Sequence, residues 1–168
     1  VSCTHFSSSP LSDWIGPVSE HFSHWEIFSE VDHAVVGREA EIREMICGRG
    51  MTFSVHAPIC DLNVAAFTDR LMLDVLCETI ASAAEIDAAT VTIHPGLSSM
   101  SVNGTEERAE GRAREAMKVL ERAGREHGVV LAIENMPSFP FFLGRTASSL
   151  VRIVDGTDLG ICFDIGHA

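Results

Sequence analysis

Four apolar, β-rich runs that each end in a metal-binding or acid/base side chain constrain this sequence more than any other feature. The last run, residues 161–168, ends with Asp164 and His167 three positions apart. The three earlier runs end in two histidines and a glutamate, namely His56, His94 and Glu134. Parallel strands bring their carboxyl ends to one edge of a sheet, where open sheets and barrels hold their active sites. The series therefore predicts a parallel α/β domain with one site built from several strand ends.

The predicted elements are a strand followed by a helix, repeated five times, and then a sixth strand. Apolar runs predict strands at residues 1–6, 24–30, 52–56, 89–94, 129–134 and 159–163. We expect these strands to be apolar on both faces, as buried parallel strands are. Helical periodicity predicts helices at residues 11–20, 38–47, 68–86, 105–127 and 146–154, with Thr105 and Thr146 as N-caps and Gly128 just past a helix end. Units of this length imply a parallel sheet with right-handed crossovers.

Two parallel architectures fit this order, an open doubly wound sheet and a (β/α)₈ barrel. No G-x-G-x-x-G follows the first strand, so the main signature of a dinucleotide-binding sheet is missing. Side chains at the ends of four strands favour the barrel, which takes about 250 residues when complete. The prediction is one α/β domain over residues 1–168, a parallel TIM-barrel type that is incomplete, with about six of eight strands.

An incomplete barrel leaves the first and sixth strands with open, apolar edges. Such edges seek partners, so we expect self-association through them. We also expect the fragment alone to be inactive, with a weak or empty metal site.

Composition narrows the partners and the compartment. The net charge of −12 argues against a general phosphate-seeking surface, so nucleic acid is not an expected partner. No apolar run approaches the roughly 20 residues of a membrane span, and the first residues lack the basic-then-apolar pattern expected of a signal peptide. Five scattered cysteines, an odd number, fit a reduced, cytoplasmic protein better than a disulfide framework.

The five strand-end residues form a nitrogen and oxygen ligand set suited to Zn²⁺, Mn²⁺, Co²⁺ or Fe²⁺. The predicted ligands are His56, His94, Glu134, Asp164 and His167. The alternative is that each side chain only caps its own strand by bonding to backbone. Five such residues at equivalent positions favour the metal site, since buried carboxylates are rare unless they are paired or bind metal.

Further residues are predicted around this site. His5 and Glu30 also follow predicted strands and are expected to line the same opening as substrate-binding residues. Asn135 follows Glu134 and is expected to orient it or to hydrogen-bond a substrate. The loop at residues 137–144 carries Phe139, Phe141 and Phe142, which would form either an apolar lid or ordinary packing under a long loop.

These motifs resemble the xylose isomerase-like barrel superfamily, which contains sugar and sugar-phosphate isomerases and epimerases together with the endonuclease IV group. The resemblance is carried by residues 55–58 (VHAP), 94–96 (HPG), 133–135 (IEN) and 163–167 (FDIGH). In the endonuclease branch it implies one zinc held by His56, His94 and Glu134, a second shared by Glu134 and Asp164, and a third served by His167. In the epimerase branch it implies one metal held by Glu134 and Asp164, with His167 contacting the substrate.

The first interpretation is therefore a metal-dependent sugar or sugar-phosphate isomerase or epimerase acting on a small carbohydrate. The resemblance implies a divalent Zn, Mn or Co ion that stabilises an enediolate, with Glu134 and His167 as catalytic residues. The alternative is an endonuclease IV-like zinc phosphodiesterase acting at abasic DNA, which His56 and His94 favour and the net charge opposes. A third interpretation is a barrel that binds a ligand without turnover.

Overall fold

The sheet contains five parallel strands whose spatial order follows their order in the chain. The computed structural model describes residues 1–2, 4–60, 62–66 and 71–168. The strands are β1 His24–Phe28, β2 Thr52–His56, β3 Thr90–Ile93, β4 Val130–Glu134 and β5 Gly160–Cys162, in the order β1-β2-β3-β4-β5. A doubly wound sheet reverses its strand order at a switch point, and this sheet does not. The parallel barrel-type fold is therefore confirmed, as part of a barrel.

In the described part of the chain, one α-helix precedes β1 and four α-helices connect the successive strands, at the places that the periodicity predicted. They are α1 Leu11–His21, α2 Glu39–Ile46, α3 Leu71–Glu85, α4 Glu106–His127 and α5 Ala147–Val154. The predicted start of α3, at residues 68–70, lies outside the described residues. Thr146 caps α5 by accepting the N–H of Ser149 at 3.2 Å, and Gly128 ends α4 with φ 73°. Thr105 occupies the N-cap position of α4 but makes no side-chain capping bond, because its hydroxyl oxygen accepts from Ser99 N and its proton goes to the Val102 carbonyl.

The first predicted strand is wrong beyond Ser2. Ser2 forms an isolated parallel bridge to Glu26, so the chain starts beside β1 where a strand was expected. Cys3 lies outside the described residues, and Thr4–Ser8 is a 3₁₀ helix. The Ser8 hydroxyl closes this turn on the His5 carbonyl at 2.9 Å, and the ring of Phe6 stacks on Trp14. Side-chain packing and a local hydrogen bond thus replace strand pairing.

The two faces of the sheet differ in polarity, contrary to the expectation of strands that are apolar on both faces. One face packs against the helices and is fully apolar, with Trp25, Ile27, Phe53, Val55, Val91, Ile93, Leu131 and Ile133 buried in the core. The alternate residues face a cavity and include Glu26, His56, Thr92, Glu134 and Cys162. Because side chains alternate along a strand, the polar residues share one side. Among the described residues, no helix is long and apolar enough to cross a membrane.

A buried glutamate joins α4 to α5. Glu110 is 4% exposed, and its carboxylate accepts from the Ser149 hydroxyl at 2.6 Å and from Arg152 Nε at 2.7 Å. Burial by itself would raise the pKa of Glu110, but the hydrogen bonds from Arg152 and Ser149 outweigh it and lower the pKa. The folded state therefore favours the ionised carboxylate.

We expect Glu110→Gln to lower the free energy of unfolding by about 1–3 kcal/mol at pH 7. The loss stays moderate because Arg152 is half exposed, so water can solvate its guanidinium. A lowered pKa gives stability that is present above the ordinary glutamate pKa of about 4.3 and lost as the pH falls through the folded-state value. Urea unfolding should therefore show that the difference in unfolding free energy between this variant and wild type narrows below pH 4. Glu115→Gln, on the exposed Lys118 pair, is the control. An equal loss in both variants would contradict a special role for Glu110.

Candidate metal centre

The carboxyl ends of the strands surround a cavity of about 620 Å³. His56 is the last residue of β2 and Glu134 is the last residue of β4, while His94 directly follows β3. Asp164 and His167 follow β5. All five predicted ligands line this cavity.

Glu134 is at the centre of the site. It is 6% exposed, and its Oε2 atom lies 3.1 Å from His56 Nε2 and 3.0 Å from His94 Nε2. The three ligand atoms of this group lie within 4.8 Å of one another. The imidazole rings of His56 and His94 meet edge to face, with centroids 4.9 Å apart. Two imidazole nitrogens and one carboxylate oxygen therefore converge from three neighbouring strands.

The electrostatics of this group favour a charged carboxylate. Burial alone would raise the pKa of Glu134, but hydrogen bonds from His56 and His94 reverse that effect and hold the pKa well below its usual range. Burial lowers the pKa of His56, but the bonds to Glu134 and to the Ala57 carbonyl leave it raised. Both ring nitrogens of His56 thus face oxygen acceptors. Metal ligation needs the neutral imidazole, so a cation binding here would displace a proton.

A second group shares the same glutamate. One ligand atom each from Glu134, Asp164 and His167 also lie within 4.8 Å of one another. His167 Nδ1 is 3.6 Å from Glu134 Oε1 and 3.9 Å from Asp164 Oδ2. Glu134 therefore presents Oε2 to one group and Oε1 to the other.

The donor set fits a divalent transition metal. Zinc, manganese and cobalt accept imidazole nitrogen together with carboxylate oxygen, and both groups contain both atom types. The alternative of isolated strand caps explains less of the geometry. His56 Nδ1 does bond the neighbouring Ala57 carbonyl at 2.8 Å, but Nε2 of His56 and of His94 contact the carboxylate of another strand. The side chains are arranged around one another.

The three predicted substrate-binding residues occupy different places. Asn135 is buried beside the site, with its carboxamide bonded to the main chain of Asp164. His5 is exposed in the 3₁₀ helix and does not belong to either ligand group. Glu30 accepts the N–H groups of Ile59 and Cys60, which anchors the loop that follows β2. Burial would raise the pKa of Glu30, but these hydrogen bonds lower it.

Two further sets of residues refine the site. Glu26, Thr92 and Cys162 line the cavity, with the Thr92 hydroxyl donating to Glu26 Oε1 at 3.0 Å. Sequence reasoning missed Glu26, although a charged residue inside the apolar run 24–28 was a signal for it.

The rings of Phe139, Phe141 and Phe142 pack on one another, and the Phe141 carbonyl accepts from Ser98 N at 2.8 Å. This aromatic loop is thereby tied to the loop that follows β3.

Comparison with known proteins identifies one matching family and several similar proteins. The family described as xylose isomerase-like TIM barrel matches residues 19–168. Uncharacterized protein MJ1311 of Methanocaldococcus jannaschii is 33% identical over 177 aligned positions, which cover 100% of this chain and 60% of that protein. Probable endonuclease 4 of Thermoplasma volcanium is 31% identical over 119 positions, covering 68% of this chain and 39% of that protein.

A solved structure is similar to this chain in both fold and sequence. The crystal structure of a D-tagatose 3-epimerase-like protein matches with a TM-score of 0.91 at 30% identity, covering 99% of this chain and 64% of that one. This chain therefore spans less than two thirds of the length of each of these three proteins.

Proposed function

The chain belongs to the xylose isomerase-like TIM-barrel family. On that premise, we propose that it forms part of a metal-dependent sugar or sugar-phosphate isomerase or epimerase. The observation that carries this proposal is the chemistry of the cavity wall. Glu134 and Asp164 lie there beside three imidazoles, and the described residues that line the cavity include no lysine or arginine. A volume of about 620 Å³ falls in the usual range for small-molecule sites. Such a wall suits a polyhydroxyl compound.

In the proposed reaction, Glu134 and Asp164 would hold the metal ion, with His56 and His94 completing the donor set around Glu134. A bound divalent cation supplies Lewis-acid polarisation of a carbonyl or hydroxyl oxygen, which acidifies the neighbouring C–H bond. Glu134 remains ionised because of its imidazole neighbours, so it is able to act as a ligand and as a proton acceptor. His167, fixed through Nδ1 on the Asn135 carbonyl at 2.9 Å, holds or donates a proton at a substrate oxygen.

The second candidate function is a zinc-dependent phosphodiesterase acting at abasic DNA. The convergence of His56 and His94 on Glu134 and the likeness to probable endonuclease 4 favour it. The charge distribution opposes it, because DNA binding draws mainly on lysine and arginine contacts to phosphate. Residues 57–66 and 95–104, which follow β2 and β3, contain neither. Arg38 and Arg145, which follow β1 and β4, pair with Glu41 and Glu106.

One assay separates these candidates. The full-length protein that contains this chain, loaded with Zn²⁺, Mn²⁺ or Co²⁺, is incubated in D₂O with a panel of ketoses, aldoses and their phosphates. Isomerase or epimerase action should place deuterium on carbon, which NMR detects in the product. Incision of an abasic duplex without deuterium incorporation would favour the phosphodiesterase. Ligand binding without either reaction would favour a binding protein. We further propose that the 168-residue chain alone is inactive and binds metal weakly or not at all.

We also propose that the 168-residue chain associates with itself through β5. Two large apolar side chains on and beside this strand are exposed, Ile161 by 50% and Phe163 by 66%. Among the described strands, β5 pairs only with β4. Sedimentation velocity should show concentration-dependent association that Ile161→Lys weakens at least about tenfold, since a charge on an edge strand opposes pairing. Val130→Lys, at an exposed residue of β4, is the matched control. Equal effects of both substitutions would contradict an interface at β5.

A further inference from the structure

The carboxamide of Asn135 binds the main chain of Asp164 at both of its polar atoms. Oδ1 accepts the Asp164 N–H at 2.6 Å, and Nδ2 donates to the Asp164 carbonyl at 2.9 Å. The main-chain carbonyl of Asn135 accepts from His167 Nδ1 at 2.9 Å, and its N–H donates to the Cys162 carbonyl at 3.3 Å. Asn135 is 8% exposed. One buried residue therefore contacts the backbone of one candidate ligand and the ring of another.

The segment that carries these two ligands has few other attachments. The β4–β5 ladder ends at Cys162, and Phe163 and Ile165 are 66% and 82% exposed. Within the described residues, the remaining hydrogen bonds of residues 163–168 are local ones, from Gly166 N to Asp164 Oδ1 and from His167 N to the Asp164 carbonyl. Ordering a free residue costs about 1–2 kcal/mol of backbone entropy. An anchor on Asp164 therefore decides whether the two side chains are placed before a ligand arrives.

We propose that Asn135 is a positioning residue, which fixes Asp164 and His167 as one unit opposite Glu134. This inference rests on the proposed metal-dependent function and deepens it. It also gives Asn135 a role other than substrate binding, because both carboxamide atoms are already engaged by Asp164. This pair of hydrogen bonds has the same pattern of one donor and one acceptor as two paired strand residues. It therefore extends the β4–β5 contact past the end of the ladder.

The chemistry of the bond pair makes the role specific to an amide. An aspartate at position 135 keeps an acceptor for the Asp164 N–H but lacks the N–H that Nδ2 gives to the Asp164 carbonyl. It also puts a negative charge against that carbonyl. A matched control exists at Asn63, whose Oδ1 accepts Leu97 N at 2.8 Å and whose Nδ2 donates to the Leu97 carbonyl at 3.1 Å. Asn63 makes the same type of bond pair without contacting Asp164 or His167.

The test compares wild type, Asn135→Asp and Asn63→Asp in the full-length protein that contains this chain, titrated with Co²⁺. We expect Asn135→Asp to lower Co²⁺ affinity about 10–100-fold, as loss of a group that orients ligands does. The d–d absorption band should also change in intensity, because it reports ligand geometry. Asn63→Asp should lower the thermal midpoint and leave the band unchanged. Equal affinity and an equal band in Asn135→Asp and wild type would overturn the proposal.

Hydrogen exchange of the metal-free chain keeps the two proposals distinguishable. The Asp164 amide should be protected in wild type and exchange faster in Asn135→Ser, whose short side chain withdraws the acceptor of that N–H, and faster also in Asn135→Leu if the serine variant fails to fold. Equal exchange in wild type and in the folded variant would overturn the positioning role. A full-length wild-type protein that binds no Co²⁺ but shows the exchange difference would count against the proposed metal site alone.

Discussion

Glutamine in place of Glu134 is expected to abolish turnover of the full-length protein and to lower metal affinity at least about 100-fold. Glu134 is the one residue common to both ligand groups of the described chain. Its Oε2 faces His56 and His94, and its Oε1 faces His167. The substitution removes one negative charge and a ligand atom while keeping the shape and volume of the side chain. The fold should therefore remain intact.

Isothermal titration with Zn²⁺ or Mn²⁺ measures the affinity, and circular dichroism checks the fold. Glu121→Gln is the matched control, because Glu121 is also buried, at 9% exposure, but bonds Arg125 and the Asp158 N–H away from the cavity. That variant should lose stability and keep metal affinity. Unchanged metal content and turnover in Glu134→Gln would count decisively against Glu134 as a ligand.

The strand ends are the part of the site that the sequence predicted most directly. In each of β2, β3 and β4 the apolar run gives the strand, and the side-chain period of two fixes which neighbours share a face. His56 and Glu134, both terminal strand residues, therefore face the same cavity. The parallel arrangement brings their ends together without any knowledge of distances. Local pattern and global topology agree here on the position of these side chains, while their role as ligands stays a prediction.

The residues that the sequence did not place depend on contacts between distant segments. His5 was assigned to a strand end, but stacking of Phe6 on Trp14 selects a 3₁₀ helix there. Glu30 is equally consistent with a ligand and with a loop anchor until the loop at Ile59 is placed beside it. The bond pair between Asn135 and Asp164 spans 29 positions. No periodicity reports such a contact.

Alanine in place of Gly96 is expected to cost about 2–4 kcal/mol of stability, a thermal midpoint lower by roughly 5–15 °C. Gly96 has φ +96°, a conformation that side chains with a Cβ rarely adopt. An added Cβ would lie 2.7 Å from Asn63 Oδ1 and 3.0 Å from the backbone N of Ala65. Asn63 cannot move away freely, because the same oxygen accepts from Leu97 N and Ala65 N. The substitution therefore adds steric overlap to backbone strain.

Gly104, which lies in the same connection between β3 and α4, separates the two contributions. Its φ is +71°, but an added Cβ would meet no atom within 4 Å. Gly104→Ala should therefore show only the strain of the left-handed conformation, about 1–2 kcal/mol. The larger loss in Gly96→Ala then measures the close approach of the loops that follow β2 and β3. Equal thermal midpoints in the two variants would show that the loops are not held together at Gly96.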